Sequence, residues 1–457
     1  MVMQTIFAAT ALLEDGWAKD VLVGIDEDGR IASVAREAKP APESARVEIL
    51  LPAASNLHSH TFQRAMAGLT ERRGPSERDS FWTWREVMYR FLDLLSPEDI
   101  EAVAAFAFME MQEAGFAAVA EFHYLHNRPG GGGYDERGEL SARIAAAQAS
   151  TGIGLTLLPV YYAQGGVDGR PLAGGQLRFG NRLDGFAALM ERAGEIVEGL
   201  SADTGLGIAP HSLRAVGPAD LEALTGMLPD APFHMHIAEQ EGEVEEALAE
   251  LGARPVEWLL ANMPVDKRWC LIHCTHMEPR ETEALARSGA VAGLCSVTEA
   301  NLGDGIFDGA RFLAAGGAFG VGSDSNIRIT VNEELRQFEY SQRLRDRARV
   351  VLAGAGRSVG RALYDHALAG GAQALGRQSG CLAPGLWADL VALQKGEGLA
   401  LANQPDLPLD NWIFCGDGRV TDLWSAGRHR VSSCRHVRRE EIARRYHECL
   451  AAIAAKL

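Results

Sequence analysis

The chain has 457 residues, 47% of them hydrophobic, and a formal net charge of −17 at pH 7; that is enough length and apolar content for a large buried core plus a smaller unit. The charge argues against nucleic acid and membranes as partners, because phosphate-rich surfaces meet a repulsive mean field, while a small anionic substrate responds to local arginines instead. Seven cysteines, odd in number, scattered and without a Cys-x-x-Cys pair, fit a reducing cytoplasm.

The stretch Met1 to Leu13 has an apolar patch but no basic segment before it, and Glu14 and Asp15 follow at once. It does not read as a signal peptide, and no apolar run is long enough to span a membrane. Residues 1–50 read as short strands and turns, the first part of a small β domain: Trp17 to Ile25, a hairpin connection Asp26 to Arg30, Ile31 to Val34, and Val47 to Leu51.

From residue 51 to 376 the texture alternates between apolar strand-like runs and amphipathic helical stretches. Eight runs stand out: Ile49 to Leu57, Ala118 to Tyr124, Ile153 to Val160, Leu206 to Pro210, Pro232 to Ala238, Trp269 to His273, Ala290 to Cys295 and Ala318 to Gly322. Helical patterns between and after them include Pro97 to Glu113, Leu183 to Leu200, Pro218 to Met227, Glu241 to Ala261, Pro279 to Ser288, Asn332 to Val351 and Gly360 to Ala374. This alternation is the signature of an α/β protein with a (β/α)₈ TIM barrel, whose active site forms where strands end and loops begin. Residues 377–457 return to turns and strands and close with a helix, Arg439 to Ala455, so the two terminal segments are expected to build one small β domain. Gly130 to Gly133 lack a following Gly-Lys-Ser/Thr and read as a flexible connection or lid, not a phosphate loop.

Chemically capable residues cluster at the expected strand ends. The first barrel run ends in His58 and His60, which share a face because strand side chains alternate. The fifth carries His234 and His236, with Glu239 just beyond; the sixth ends in His273, with His276 after it, and Asp324 follows the eighth. Three imidazoles and a carboxylate, with a position left for water, make a catalytic metal site, for which Zn²⁺ is the default and Fe²⁺ stays open. The five lysines, Lys19, Lys39, Lys267, Lys395 and Lys456, all lie away from barrel-strand C-terminal ends. That inventory excludes a lysine-bridged pair of metals and favours one ion.

His58-Ser-His60, His236 with Glu239, His273 and Asp324, in that order along an eight-stranded barrel, resemble the amidohydrolase superfamily in its mononuclear deaminase branch. The segment Gly380 to Leu393 resembles that superfamily's small β-sandwich domain, which implies that the terminal segments form a sandwich. The resemblance implies that His58, His60, His236 and Asp324 bind one divalent ion. Glu239 then shuttles protons, His273 orients the water or polarises the substrate, and Asp324 can assist the first deprotonation.

Longer stretches carry the resemblance further: His58 to Glu71, Phe81 to Tyr89, Ala209 to Val216, His234 to Gln240 and Gly322 to Ile329 are similar to the branch's deiminases of linear amidines. What this implies is hydrolysis of N-formimino-L-glutamate to N-formyl-L-glutamate and ammonia in histidine degradation, in the cytoplasm, by a homodimer. Two carboxylates call for arginines, whose planar forks bind them in paired hydrogen bonds. Arg85 and Arg214 are the candidates, with Gln63, Tyr124 and His211 as supporting contacts and Arg328 as a substitute or a loop brace. His234 is read as supporting the ligands from behind, and Trp82 and Trp84 as packing. The alternatives are a deaminase of the same branch acting on guanine or adenosine-type rings, and a metal-poor scaffold that kept the barrel.

Overall fold

The computed structural model describes residues 2–73, 80–396, 404–416 and 418–456. Four strands open the chain, β1 (Val2–Leu13), β2 (Gly16–Asp26), β3 (Ile31–Ala35) and β4 (Ala45–Pro52). The barrel strands follow: β5 (Ala54–Ser59), β6 (Phe116–His123), β7 (Gly154–Tyr161), the pair β8 (Gly205–Leu206) and β9 (Ala209–Pro210), β10 (Phe233–Ile237), β11 (Trp269–His273), β12 (Val291–Leu294) and β13 (Ala318–Val321). Last come β14 (Leu390–Leu393), β15 (Val420–Ser425), β16 (Arg428–Ser432) and β17 (Arg435–His436).

All neighbouring barrel strands pair in parallel, from β5 to β9 and from β10 to β13. Isolated bridges Ile208↔Phe233 and Ser59↔Asp324 join the two halves into a closed ring. The expected α/β barrel is therefore present. β5, β6, β7, β10, β11 and β12 are buried along their whole length, as parallel strands covered by helices on one face and filled by side chains on the other must be. Among the described residues no helix is long and apolar enough to cross a membrane.

The terminal segments share one sheet, ordered β17-β16-β15-β14-β4-β1-β2-β3, so N- and C-terminal strands meet where β4 pairs with β14. Ile6, Val21, Val23, Ile25, Leu50, Leu390 and Trp424 form its separate core. Arg377 ties this unit to the barrel: its guanidinium donates to Asp389 at 2.6 and 2.9 Å and to the Asp203 carboxylate at 3.0 Å, all nearly fully buried.

Three sequence expectations change at this level. The run Ile49 to Leu57 is two strands, because Pro52 ends β4 in the small sheet and β5 starts the barrel at Ala54; burial of both makes one continuous apolar run. The pattern Glu241 to Ala261 is two helices, Glu241–Leu251 and Pro255–Asn262, broken where Gly252 takes φ +72° and Pro255 starts the next helix. The N-terminal apolar patch is itself a twelve-residue strand, β1. By contrast, helix Pro97–Glu113 starts where Ser96 and Asp99 cap each other reciprocally behind Pro97, a signal legible in sequence.

Two buried histidines make the fold acid-sensitive. Nε2 of His126 donates to the Val160 carbonyl at 2.9 Å and that of His234 to the Ala374 carbonyl at 2.7 Å, while both Nδ1 atoms lack a partner among the described residues. A second proton would sit buried and unpaired, so burial lowers both rings to about 4. Their pKa is depressed, so stability is complete above the unfolded value of about 6.5 and declines as pH falls from there towards about 4. We expect the urea midpoint to fall across that window, and His234→Gln to recover up to roughly 3 kcal/mol of the loss; an unchanged pH slope in that variant would contradict this.

Candidate metal centre

His58 and His60 lie at the end of β5, His236 in β10, and Asp324 just past β13. All four are buried, with His58 fully so, and their ligating atoms lie within 4.8 Å of one another. Nε2 of His58 is 3.2 Å from Nε2 of His60 and 3.1 Å from Nε2 of His236. Oδ1 of Asp324 is 3.5 Å from the His58 nitrogen and 3.3 Å from that of His60. Donors about 2.0–2.1 Å from one ion in a tetrahedron lie about 3.3 Å apart, so this donor set fits a single divalent ion.

For His60 and His236 the groups behind the ring settle which nitrogen faces inward, while Nδ1 of His58 has no partner among the described residues. Nδ1 of His60 is 3.0 Å from the Phe122 carbonyl and Nδ1 of His236 is 3.0 Å from the His211 carbonyl. Each donates its proton there, leaving the Nε2 lone pair for the ion. Burial holds the His58 ring down at about 3 and lowers those of His60 and His236, which keeps the lone pairs free. Burial alone would raise the Asp324 carboxyl, but His58, His60 and His273 outweigh it and hold the group well below the usual carboxylate range.

Backbone geometry at this mouth is unusual. Ala238, His273, Cys274, Asp324 and Asn326 all have positive φ, between 43° and 72°; non-glycine residues keep such conformations only where the surroundings over-determine them. One network of this kind is visible behind the ligands. Asn56 Oδ1 accepts from Ser323 N at 3.1 Å and Asn56 Nδ2 donates to Ser323 Oγ at 2.6 Å. Asn326 Nδ2 donates to the His60 carbonyl at 3.0 Å.

Glu239 and His273 stand beside the ligands. His273 Nε2 is 4.0 Å from Glu239 Oε1 and from Asp324 Oδ2, and Nδ1 is 3.3 Å from Glu299 Oε1. Burial works against the imidazolium, but these carboxylates, Glu239 foremost, hold its pKa up at about 10. Glu239 Oε2 accepts from Arg214 Nη2 at 3.4 Å.

A cavity opens above these groups, lined by His60, His236, Glu239, His273 and Asp324. Gln63, Arg85, Tyr124, His211 and Arg214 line the same cavity, so all five expected substrate contacts are brought to one place. Gln63 Nε2 donates to the Tyr124 hydroxyl at 2.9 Å, while Gln63 Oε1 is buried without a partner among the described residues. Arg85 forms no ion pair among those residues; its guanidinium lies 4.5 Å from the Trp82 ring and 5.6 Å from that of Tyr89.

Of the remaining expectations, some narrow and some change. Arg328 is exposed and paired with Glu333 at 2.7 and 2.9 Å, so it braces its loop outside the cavity. His234 bonds the Ala374 carbonyl rather than a ligand. Gly130 to Gly133 form a turn closed by Arg128 N on the Gly132 carbonyl at 2.7 Å, outside the cavity lining. Trp84 does line the cavity. Sequence reasoning passed over Asn56, Asn326, Glu243 and Glu299, which hold the site from behind, and Tyr162 and Phe179, which wall it. Only Asn56 and Asn326 had a positional signal, each two residues from a ligand.

A buried cluster of three histidines and an aspartate at the open end of a (β/α)₈ barrel defines a metal-dependent hydrolase. The amidohydrolase family profile matches residues 49–429, and that of the formimidoylglutamate deiminase N-terminal domain matches residues 3–47. A formimidoylglutamate deiminase from Pseudomonas aeruginosa is 48% identical over 454 residues, covering 99% of this chain and all of that one. An 8-oxoguanine deaminase from the same organism is 28% identical, covering 89% and 88%. The crystal structure of an amidohydrolase from Brucella melitensis superposes with a TM-score of 0.95 at 49% identity, covering 99% of this chain and all of that one. The chain belongs to the amidohydrolase family, and within it to the formimidoylglutamate deiminases.

Removing the brace behind the ligands is expected to weaken the ion without unfolding the barrel. Asn56→Ala leaves Ser323 N without its acceptor, and metal affinity measured by chelator competition should fall about 10- to 100-fold. Unchanged affinity would contradict this role.

Proposed function

We propose that the chain hydrolyses N-formimino-L-glutamate to N-formyl-L-glutamate and ammonia, a step of histidine degradation, with one Zn²⁺ held by His58, His60, His236 and Asp324. The observation that carries this reading is the meeting of that ligand cluster with Arg85 and Arg214 in a single cavity. Two guanidiniums suit two substrate carboxylates. Three imidazoles and one carboxylate suit zinc.

A divalent ion held by His58, His60, His236 and Asp324 would lower the pKa of water at the site to about 7. Arg214 and Arg85 hold the carboxylates, and Gln63, Tyr124 and His211 complete the polar contacts. His273, held between Glu299, Glu239 and Asp324, orients the incoming water over the formimino carbon. Glu239 takes a proton from that water and returns it to the terminal nitrogen. The carbon–nitrogen bond to that nitrogen breaks, a carbon–oxygen double bond forms, and ammonia leaves. The water oxygen bonds the formimino carbon as the first proton moves, and the remaining hydroxyl proton of that tetrahedral adduct passes to the same nitrogen through Glu239 as the carbon–oxygen double bond forms, so both water protons leave in the ammonia.

A ring-deaminating reading has one observation in its favour, the aromatic lining of Phe81, Trp84, Tyr89, Tyr162 and Phe179. Ammonia release across a substrate panel separates the two. N-formimino-L-glutamate is expected to be the strong substrate, with formylglutamate as product; turnover of guanine or adenosine derivatives in its place would overturn the proposal. A homodimer is the proposed assembly, read by sedimentation.

Two variants test the roles. Glu239→Gln is expected to keep one metal per chain and its melting temperature while kcat falls about 100- to 10,000-fold; loss of metal would contradict a proton-carrying role. Arg85→Ala and Arg214→Ala should each raise KM for N-formimino-L-glutamate about 10- to 100-fold, since each leaves a carboxylate unpaired. Unchanged KM in either removes that arginine from the binding set.

A further inference from the structure

One buried carboxylate beside the cavity has no part in the scheme above. Glu243 lies in the first turn of helix Glu241–Leu251 and is fully buried. Both its oxygens face backbone N–H groups, and one of them also faces a side chain. Oε1 accepts from Ala238 N at 2.9 Å and Oε2 from Glu239 N at 3.3 Å, and Oε2 also lies 3.7 Å from Arg214 Nε. The Arg214 guanidinium meanwhile reaches Glu239 at 3.4 Å. Glu243, Arg214 and Glu239 therefore form a closed triangle.

Each corner has a physical reason. Ala238 turns out of β10 with φ +53°, a conformation that needs an outside constraint, and the Glu243 carboxylate accepts hydrogen bonds from that residue and the next. A fully buried carboxylate is tolerated only with compensation, which the two N–H donors and Arg214 provide. Arg214 lies 5.6 Å from the Phe81 ring and 5.9 Å from that of Trp82, so its guanidinium is confined between the aromatic wall and the two glutamates.

We propose that Glu243 is a positioning residue that fixes the proton carrier Glu239 and the carboxylate-binding Arg214 relative to each other, so that recognition of a substrate carboxylate and protonation of the leaving nitrogen are coupled. This rests on the function proposed above. A substrate carboxylate on Arg214 competes with Glu239 for the guanidinium, and Glu243 keeps both within reach of their tasks. A substrate without that carboxylate then loses kcat as well as binding.

The test compares wild type with Glu243→Gln, which removes the charge, and Glu243→Asp, which withdraws it by one methylene. Substrates are N-formimino-L-glutamate and two analogues, each lacking one of its carboxylates. Metal content and melting temperature are measured alongside. In wild type, one analogue should show a kcat at least about 10-fold below that of the full substrate. In metal-loaded, folded Glu243 variants, kcat for the full substrate should fall about 10- to 100-fold and the kcat gap between substrates should close.

A folded variant that keeps wild-type kcat, or that loses kcat with the gap intact, overturns the proposal. So does failure of both variants to fold or hold metal, which would make Glu243 a structural residue. Wild type that releases no ammonia from N-formimino-L-glutamate would instead overturn the function proposed above, which keeps the two failures apart.

Discussion

Two backbone hydrogen bonds join the first and last barrel strands at the metal centre: Asp324 N donates to the His58 carbonyl and His60 N to the Asp324 carbonyl, both at 3.0 Å. They fix the register in which His58 of β5, His60 just past it and one aspartate after β13 can reach a common point. Gly322 makes the approach feasible. A Cβ there would fall 2.8 Å from the His58 Cβ and carbonyl oxygen, closer than any side chain tolerates. Asn56, Ser323 and Asn326 then hold the junction by side-chain hydrogen bonds, and β10 brings His236 from across the barrel. Barrel closure and ligand placement thus rest on the same contacts.

That assembly places many ionisable groups in a region with little water. Burial favours neutral imidazoles at His58, His60 and His236, which suits ligation, while Asp324 and Glu239 are charge partners of His273. Unpaired buried charge is costly, so carboxylates and cations here come in compensating sets. The same logic reaches the substrate side. Arg214 is balanced by Glu239 and Glu243, whereas Arg85 has only aromatic faces against it among the described residues. An arginine without an internal anion is the group best prepared for an external one.

Much of this was legible in the amino-acid order. Parallel barrel strands are long apolar runs, and His58, His60, His236, His273 and Asp324 stand out at their ends because charged and imidazole groups interrupt that texture. What stayed hidden has a physical cause in each case. The run Ile49 to Leu57 serves two sheets, and hydrophobicity does not say which sheet takes a residue. Glu243 looks like an ordinary acid in a helix's first turn, a place where acids are common for dipole reasons; only its burial against Ala238 and Arg214 distinguishes it. Arg328 follows the metal aspartate closely, yet Glu333 draws it outward. His234 shares a face with His236 but sits nearer the barrel floor, where the Ala374 carbonyl is its partner.

The most direct test of the account is X-ray absorption at the metal edge on protein loaded with zinc and checked for stoichiometry. One ion per chain is expected, with three imidazole nitrogens and carboxylate oxygen at about 2.0–2.2 Å in its first shell. A second ion per chain, or a sulfur neighbour near about 2.3 Å from Cys295, which lies within ligating distance of His273 and Asp324, would contradict it.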